Sequence, residues 1–210
     1  MSVIVQPWKF ITPPPVYTYA TWDAVNIGAG IILSNGNLTA YIPSNPPAGG
    51  TGATARSSIG KSSGKWYWEL TVTSGQLYGA LRPLAYFGMA NASHSLDGNN
   101  GRLGVDSNSF GVYEFDGSLD YAAGNTAFGT FWNIGDVIGM AFDATAATTQ
   151  LFKNNVSMGT ITNSNANIGS GLRYAAISCW PTHYVTITAN FGATTLTYTP
   201  PAGFNAGLYV

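Results

Sequence analysis

The chain consists of short stretches of β-branched and aromatic residues that alternate with polar ones and are separated by Gly, Asn and Asp at close intervals. Alternation places one set of side chains on each face of a strand, and the intervening residues favour tight turns. No segment of useful length has the 3.6-residue period of an amphipathic helix. The pattern predicts an all-β antiparallel sandwich and nearly excludes an α-helical or α/β protein.

The composition supports this prediction and excludes several classes of partner. The 210 residues include only 8 basic and 9 acidic side chains, so 22 Thr, 17 Ser and 17 Asn must supply much of the polar surface. The length fits one large domain with an appendage. A net charge of −1 with scattered Lys and Arg provides no basic stripe, and no apolar run is long enough to span a bilayer. We therefore expect no nucleic-acid partner and no membrane insertion, and we recognise no export signal.

Three dipeptides predict hairpin turns because Gly, Asn and Asp tolerate a positive φ. They are Asn35-Gly36, Asp116-Gly117 and Asn154-Asn155, the last within three successive strands. Residues 43–55 and 91–102 are rich in Gly, Pro or Asn and are predicted loops. Further strands are predicted at 66–74, 84–90, 127–132, 172–179, 184–191 and 194–199.

Residues 1–20 differ from the rest and are predicted to form an extended arm attached to a domain at 21–210. An apolar patch precedes Pro13, Pro14 and Pro15, which favour a stiff polyproline II spacer. Because exposed apolar patches mark interaction sites, we predict that the patch anchors the chain in an assembly. The anchor residues are Val3, Val5, Trp8, Phe10 and Ile11.

The sequence offers little support for catalysis. Residues 55–62 (ARSSIGKS) resemble a phosphate-binding loop, but the first Gly is missing and a strand follows where a helix is needed, which favours a polar hairpin turn. Glu114 and Asp116 are spaced to share one strand face, as in a two-carboxylate glycosidase, but a third acid is absent. We predict that the protein is not an enzyme.

Metal and cofactor binding are equally unsupported. His94 and His183 lack a second ligand at i+2 or i+4, so each is expected to face solvent or to be hydrogen-bonded. Residues 97–101 (DGNNG) resemble a calcium loop without its later bidentate Glu, and a turn explains them better. Cys179, the single cysteine, lies in an apolar run and is predicted to pack in the core. We expect no metal and no cofactor.

Several strand sequences resemble, in order along the chain, those of the SPRY family. They are Trp22-Asp23, IILSNGNLTA, residues 64–69 (GKWYWE), residues 86–90 (YFGMA), residues 103–113 (LGVDSNSFGVY), residues 135–139 (GDVIG) with Asp143, residues 151–154 (LFKN) and residues 190–192 (NFG). The resemblance covers about 21–204 and implies a bent, concanavalin-like sandwich of two antiparallel sheets. Trp66 and Trp68 share one face of a central strand and are assigned to the core.

The resemblance also implies a binding surface. The segment CWPTHY lies between two predicted strands, at the loop that contributes to peptide binding in SPRY domains. The implied surface comprises Trp180, Pro181 and His183 of this loop, with Tyr78, Leu81 and Arg82 from the insertion GQLYGALRP. A buried loop tryptophan is the alternative.

The low charge and abundance of Thr, Asn and Gly resemble those of SPRY-like modules in structural proteins of tailed bacteriophages. This resemblance implies a virion decoration or attachment protein, present in many copies and assembled in the host cytoplasm. Its arm would contact other capsid or tail proteins, while its loops would contact a host-surface protein or glycan. The alternatives are a free-standing SPRY adaptor that binds a peptide, and a sandwich that binds or cleaves carbohydrate.

Overall fold

A computed structural model describes residues 15–50, 52–78, 82–122, 124–162 and 171–210. These ranges contain seventeen strands and no helix, and hence no helix that could cross a membrane. The predicted all-β class is confirmed. Two large antiparallel sheets pack face to face as a sandwich, and a two-stranded hairpin stands apart from them.

The first sheet has seven strands, and each pairs antiparallel with its neighbours. In spatial order they are β1 (Trp22–Ile27), β4 (Thr54–Lys61), β15 (Arg173–Cys179), β8 (Ala85–Asn91), β9 (Ser109–Tyr113), β10 (Ser118–Tyr121) and β11 (Gly124–Ala127).

The second sheet is centred on the longest strand, β5 (Lys65–Gly75), which pairs with β12 on one side and β16 on the other. Its spatial order is β14 (Val156–Ile161), β13 (Thr148–Lys153), β12 (Val137–Asp143), β5, β16 (Val185–Asn190), β3 (Thr39–Ile42) and β2 (Ile32–Ser34). The short β17 (Asn205–Ala206) pairs parallel with the start of β5. The separate hairpin consists of β6 (Leu77–Tyr78) and β7 (Arg82–Pro83).

The core lies between the two sheets and is formed by alternate residues of their strands. On β8, Phe87 and Met89 belong to the main core cluster, whereas Tyr86 and Ala90 belong to a smaller cluster on the other face. Trp68 of β5 is fully buried, and Trp66 packs against the same cluster while remaining partly exposed. The predicted core positions of both tryptophans are confirmed, since residues i and i+2 share one face.

The three predicted hairpin turns are confirmed between β2 and β3, β9 and β10, and β13 and β14. Each has backbone in the left-handed region, where Gly and Asn are least strained. The φ angles are 52° and 60° at Asn35 and Gly36, 75° at Gly117, and 48° and 68° at Asn154 and Asn155.

Three other predicted segments are wrong. Residues 55–62, expected to form a hairpin turn, lie almost entirely within strand β4. Their polar side chains find partners inside the fold: the Ser57 hydroxyl donates to the Ile59 carbonyl oxygen. Residues 128–132 lie outside the strands, and Trp132 instead inserts its fully buried ring into the core. Residues 194–199 form a loop rather than a strand.

The described beginning of the chain pairs with its end. Thr18 and Val210 exchange two backbone hydrogen bonds of 3.0 Å, and the Ala20 N–H donates to the Leu208 carbonyl oxygen at 2.7 Å. Ala20 is buried in the core cluster. The predicted anchor residues Val3, Val5, Trp8, Phe10 and Ile11 lie outside the described residues.

Candidate functional site

The loop that joins β15 to β16, residues 180–184, is held by backbone hydrogen bonds to other segments. The Trp180 N–H donates to the Leu84 carbonyl oxygen at 2.9 Å. The Pro181 carbonyl oxygen accepts from the Asn45 N–H at 2.5 Å, and the His183 N–H turns back to the Trp180 carbonyl oxygen at 3.0 Å. These contacts restrain the backbone of the loop.

Two large aromatic side chains of this loop reach solvent. Trp180 is 38 % exposed and Tyr184 is 37 % exposed, whereas the other described tryptophans are fully or partly buried. Pro181 and His183 are partly exposed beside them. An exposed tryptophan on a fixed loop provides a large apolar contact with an N–H donor.

Trp180 adjoins three further aromatic side chains on the outer face of the first sheet. We define Trp180, Tyr86, Tyr113 and Phe115 as the aromatic patch. Tyr86 and Tyr113 stack with ring centroids 4.6 Å apart and planes 10° apart. Tyr113 in turn lies 6.0 Å from Phe115 and 6.3 Å from Trp180. Tyr86 forms the buried base of the patch, and the other three residues are accessible in part.

Arg102 joins the aromatic patch to a carboxylate. Its guanidinium carbon lies 4.5 Å from the ring centre of Tyr86 and 5.1 Å from that of Trp180. Its Nη1 donates to Asp120 Oδ2 at 2.7 Å. Arginine stacks on aromatic faces while it pairs with a carboxylate, so Arg102 holds the patch together.

Burial changes the pKa of three side chains of the patch and the loop. Burial raises the pKa of Tyr86, and Arg102 opposes this effect. Burial, with Asp116 and Glu114 nearby, raises the pKa of Tyr113 to about 12. Partial burial lowers the pKa of His183, so its imidazole is neutral at pH 7.

The insertion residues predicted for this surface are only partly described. Tyr78 and Arg82 are opposite each other in the β6–β7 hairpin, and Leu81 lies outside the described residues. The hairpin begins beside the loop, because the Gln76 N–H donates to the Tyr184 carbonyl oxygen at 2.9 Å. The backbone therefore brings the start of the insertion next to the loop, as the prediction requires.

Sequence reasoning missed four contributors to the surface: Tyr86, Arg102, Tyr113 and Phe115. Arg102 lies at the end of a long polar loop. Because the chain has only 8 basic residues, the position of this one in a loop could have indicated a role at the surface. The two tyrosines lie in strands already identified, at positions alternate to core residues. Their meeting depends on the pairing of β8 with β9, which local sequence does not specify.

The two carboxylates considered for glycoside cleavage do not share a strand face. β9 ends at Tyr113, so Glu114 and Asp116 both follow the strand. Glu114 is fully buried, whereas Asp116 is exposed and accepts a hydrogen bond from the Ser118 N–H at 2.9 Å. The prediction that residues i and i+2 share a face is wrong here, because both residues lie in the turn after β9.

Among the described residues, no three His, Cys, Asp or Glu side chains lie close enough to hold a metal. His94 is buried, with Nδ1 3.2 Å from Asp106 Oδ1, and burial lowers its pKa. Its expected hydrogen-bonded state is confirmed. Residues 97–101 form a turn in which Asp97 Oδ1 accepts from the Ala29 N–H at 2.7 Å. Cys179 is buried in the core cluster as predicted, and burial raises its pKa.

The chain belongs to the SPRY family, because the family's SPRY domain profile matches residues 65–194, more than half of the chain. SPRY domains are generally non-catalytic modules that bind protein partners. No curated protein sequence matches significantly.

Solved structures show the same fold. The SPRY domain of human HERC1 aligns with a TM-score of 0.60 at 17 % identity, covering 80 % of this chain and 96 % of that one. The TRIM65 PSpry domain gives 0.60 at 13 % identity, with 82 % and 92 % covered. Stonustoxin gives 0.61 at 16 % identity, with 82 % of this chain and 27 % of the toxin chain covered.

Proposed function

We propose that the protein is a non-enzymatic protein-binding module whose contact surface comprises the 180–184 loop and the aromatic patch. The observation that carries the proposal is the exposed Trp180, fixed by its backbone and flanked by Arg102 and Tyr113. Tryptophan, tyrosine and arginine dominate the energetics of protein interfaces. Because the backbone of the loop is already fixed, binding incurs little ordering entropy.

A display experiment tests this surface. Peptides selected from a random display library on the intact protein are expected to bind Trp180→Ala at least ~30-fold more weakly, as for an aromatic interface hot spot. Affinities would be measured by isothermal titration calorimetry. Tyr17→Ala is the matched control, because Tyr17 is another exposed aromatic, 42 % accessible, located where the two ends of the chain pair. Equal affinity of the selected peptides for wild type and Trp180→Ala would refute the proposed surface.

We further propose that the module is a bacteriophage virion component, attached to capsid or tail proteins by residues 1–20 and assembled in the host cytoplasm. The support is the sequence: very low charge, abundant Thr, Asn and Gly, and an apolar patch before three prolines. Multiple copies on one particle would strengthen weak single contacts by avidity. The outward loops would then contact a host-surface protein.

Deleting residues 1–15 tests the virion role. The deletion is expected to abolish incorporation into particles because it removes the apolar patch, while the midpoint of urea unfolding stays unchanged. Incorporation would be measured by mass spectrometry of particles purified from cells producing either form. Incorporation at the wild-type level would remove the arm as the anchor.

A further inference from the structure

We propose that the 192–200 loop and Tyr19 form a second binding site, specific for a neutral saccharide. They line a cavity of about 520 Å³ that is open to solvent. This volume is within the ~300–1,000 Å³ typical of small-molecule sites. The lining residues are Tyr19, Gly192, Ala193, Thr194, Thr195, Leu196, Thr197, Tyr198, Thr199, Pro200 and Ala206.

The chemistry of the lining selects the class of ligand. None of these residues is charged, so the cavity offers no direct ion pair to a phosphate, a carboxylate or an ammonium group. Four threonines contribute hydroxyl groups, and none of these hydroxyls bonds to another group in the part of the chain that the structure describes. Each hydroxyl can both donate and accept, which matches the hydroxyl groups of a sugar.

An aromatic side chain is held at one side of the cavity. A Cβ added at Gly192 would lie 2.9 Å from Tyr19 Cε1, and one added at Gly207 would lie 3.0 Å from it. The ring therefore sits directly on the backbone of two glycines, which both have positive φ angles. Tyr209 packs edge-on against Tyr19 at 5.3 Å. Tyr19 is thus fixed as an apolar contact for the C–H face of a sugar ring.

The loop itself is held from behind by a buried carboxylate. Glu69 is 2 % exposed, and its two oxygens accept from the N–H groups of Thr197 and Tyr198, each at 2.7 Å. The Asn190 side-chain amide donates to the Thr195 carbonyl oxygen at 2.9 Å. These bonds hold the backbone of the loop at residues 195, 197 and 198, which lowers the entropic cost of ordering the loop on binding.

This site is separate from the proposed protein-binding surface. Strand β16 runs from Val185, next to the 180–184 loop, to Asn190, next to the cavity. Six residues of strand span about 17 Å. A ligand in the cavity therefore leaves Trp180 uncovered.

The test uses the full chain with four probes: maltohexaose, cellohexaose, chitohexaose and a heparin hexasaccharide, which is sulfated. Saturation-transfer NMR and titration are expected to show millimolar or tighter binding of at least one neutral hexasaccharide. Thr197→Val and Tyr19→Ala should each weaken it about tenfold, the effect of losing roughly 1.4 kcal/mol. Thr160→Val, which changes an exposed threonine on β14, should leave binding unchanged.

Three results would overturn the proposal. The first is that no neutral hexasaccharide binds, and the second is that only the heparin hexasaccharide binds. The third is binding of a neutral hexasaccharide that Thr197→Val does not weaken. Tyr19→Ala could disturb the pairing of residues 18–20 with residues 208–210. Thr197→Val then still tests the proposal, because Thr197 is exposed and its N–H bond to Glu69 is retained.

Discussion

Replacing Glu69 with leucine is expected to lower the free energy of unfolding by about 3 kcal/mol, since two charge-assisted hydrogen bonds are lost. The carboxylate is buried and bonds the N–H groups of Thr197 and Tyr198, and it also accepts from the Tyr67 hydroxyl at 3.3 Å. Leucine occupies a similar volume but leaves all three donors without this acceptor. Urea denaturation would measure the change in stability.

Hydrogen exchange separates loss of the loop from general destabilisation. In Glu69→Leu, the amides of Thr197 and Tyr198 should exchange much faster, while those in the middle of β12 keep their protection under conditions that favour the folded state. Tyr67→Phe is the matched control, because it removes only the hydroxyl and should cost about 1 kcal/mol. Wild-type protection of both amides in Glu69→Leu would show that the carboxylate does not hold the loop.

Trp22→Ala is expected to lower the free energy of unfolding by about 3–5 kcal/mol, the usual cost of removing a buried aromatic side chain. Trp22 has no exposed surface, and its ring packs edge-on against Phe191 at 5.2 Å. Its Nε1 donates to the Leu38 carbonyl oxygen at 3.0 Å, which ties β1 to the segment before β3. Alanine leaves a cavity and removes one of the two hydrogen bonds to the Leu38 carbonyl oxygen, which keeps the bond from the Ala189 N–H. The measurement is again urea denaturation.

Trp180→Ala is the comparison, because it makes the same Trp-to-Ala replacement at a different position. Trp180 is the exposed tryptophan of the 180–184 loop, so its removal should cost less than about 1 kcal/mol. Trp22→Phe should have an intermediate effect, because it retains a ring and loses the hydrogen bond. If Trp22→Ala and Trp180→Ala destabilised the protein equally, the assignment of one to the core and the other to a surface would be wrong.

The strands and turns could be predicted where a local rule applies. Asn35-Gly36 and Asn154-Asn155 specify their turns because few residues tolerate the left-handed region. The rules failed where burial overrides polarity. The polar sequence of β4 predicts a turn. The segment forms a strand instead, because Ser57 and its neighbours find hydrogen-bond partners inside the fold. Trp132, predicted in a strand, lies in an irregular segment because its large ring fills the core from there.

The candidate sites were harder to predict from the sequence than the fold. Trp180 could be singled out because a Pro-containing segment between strands indicates a loop. Its partners Arg102, in the loop before β9, and Tyr113, in β9, come from distant parts of the chain and meet it only in the folded structure. The saccharide cavity was missed because residues 194–199 alternate like a strand. The buried Glu69, far away in sequence, and the Asn190 side chain hold that segment as a loop.

The paired segments 18–20 and 208–210 lie at one end of the central strand β5, and the 180–184 loop lies at the other. Tyr209 packs on Trp66 near the beginning of β5, and Val185 pairs with Gly75 at its end. A pull between a tether at the chain ends and a partner held at Trp180 would therefore run along β5. Its hydrogen bonds to β12 and β16 lie across that direction and would be loaded in shear, so many must break together. If residues 1–20 and the 180–184 loop are the two attachments proposed above, β5 would carry the tension between them.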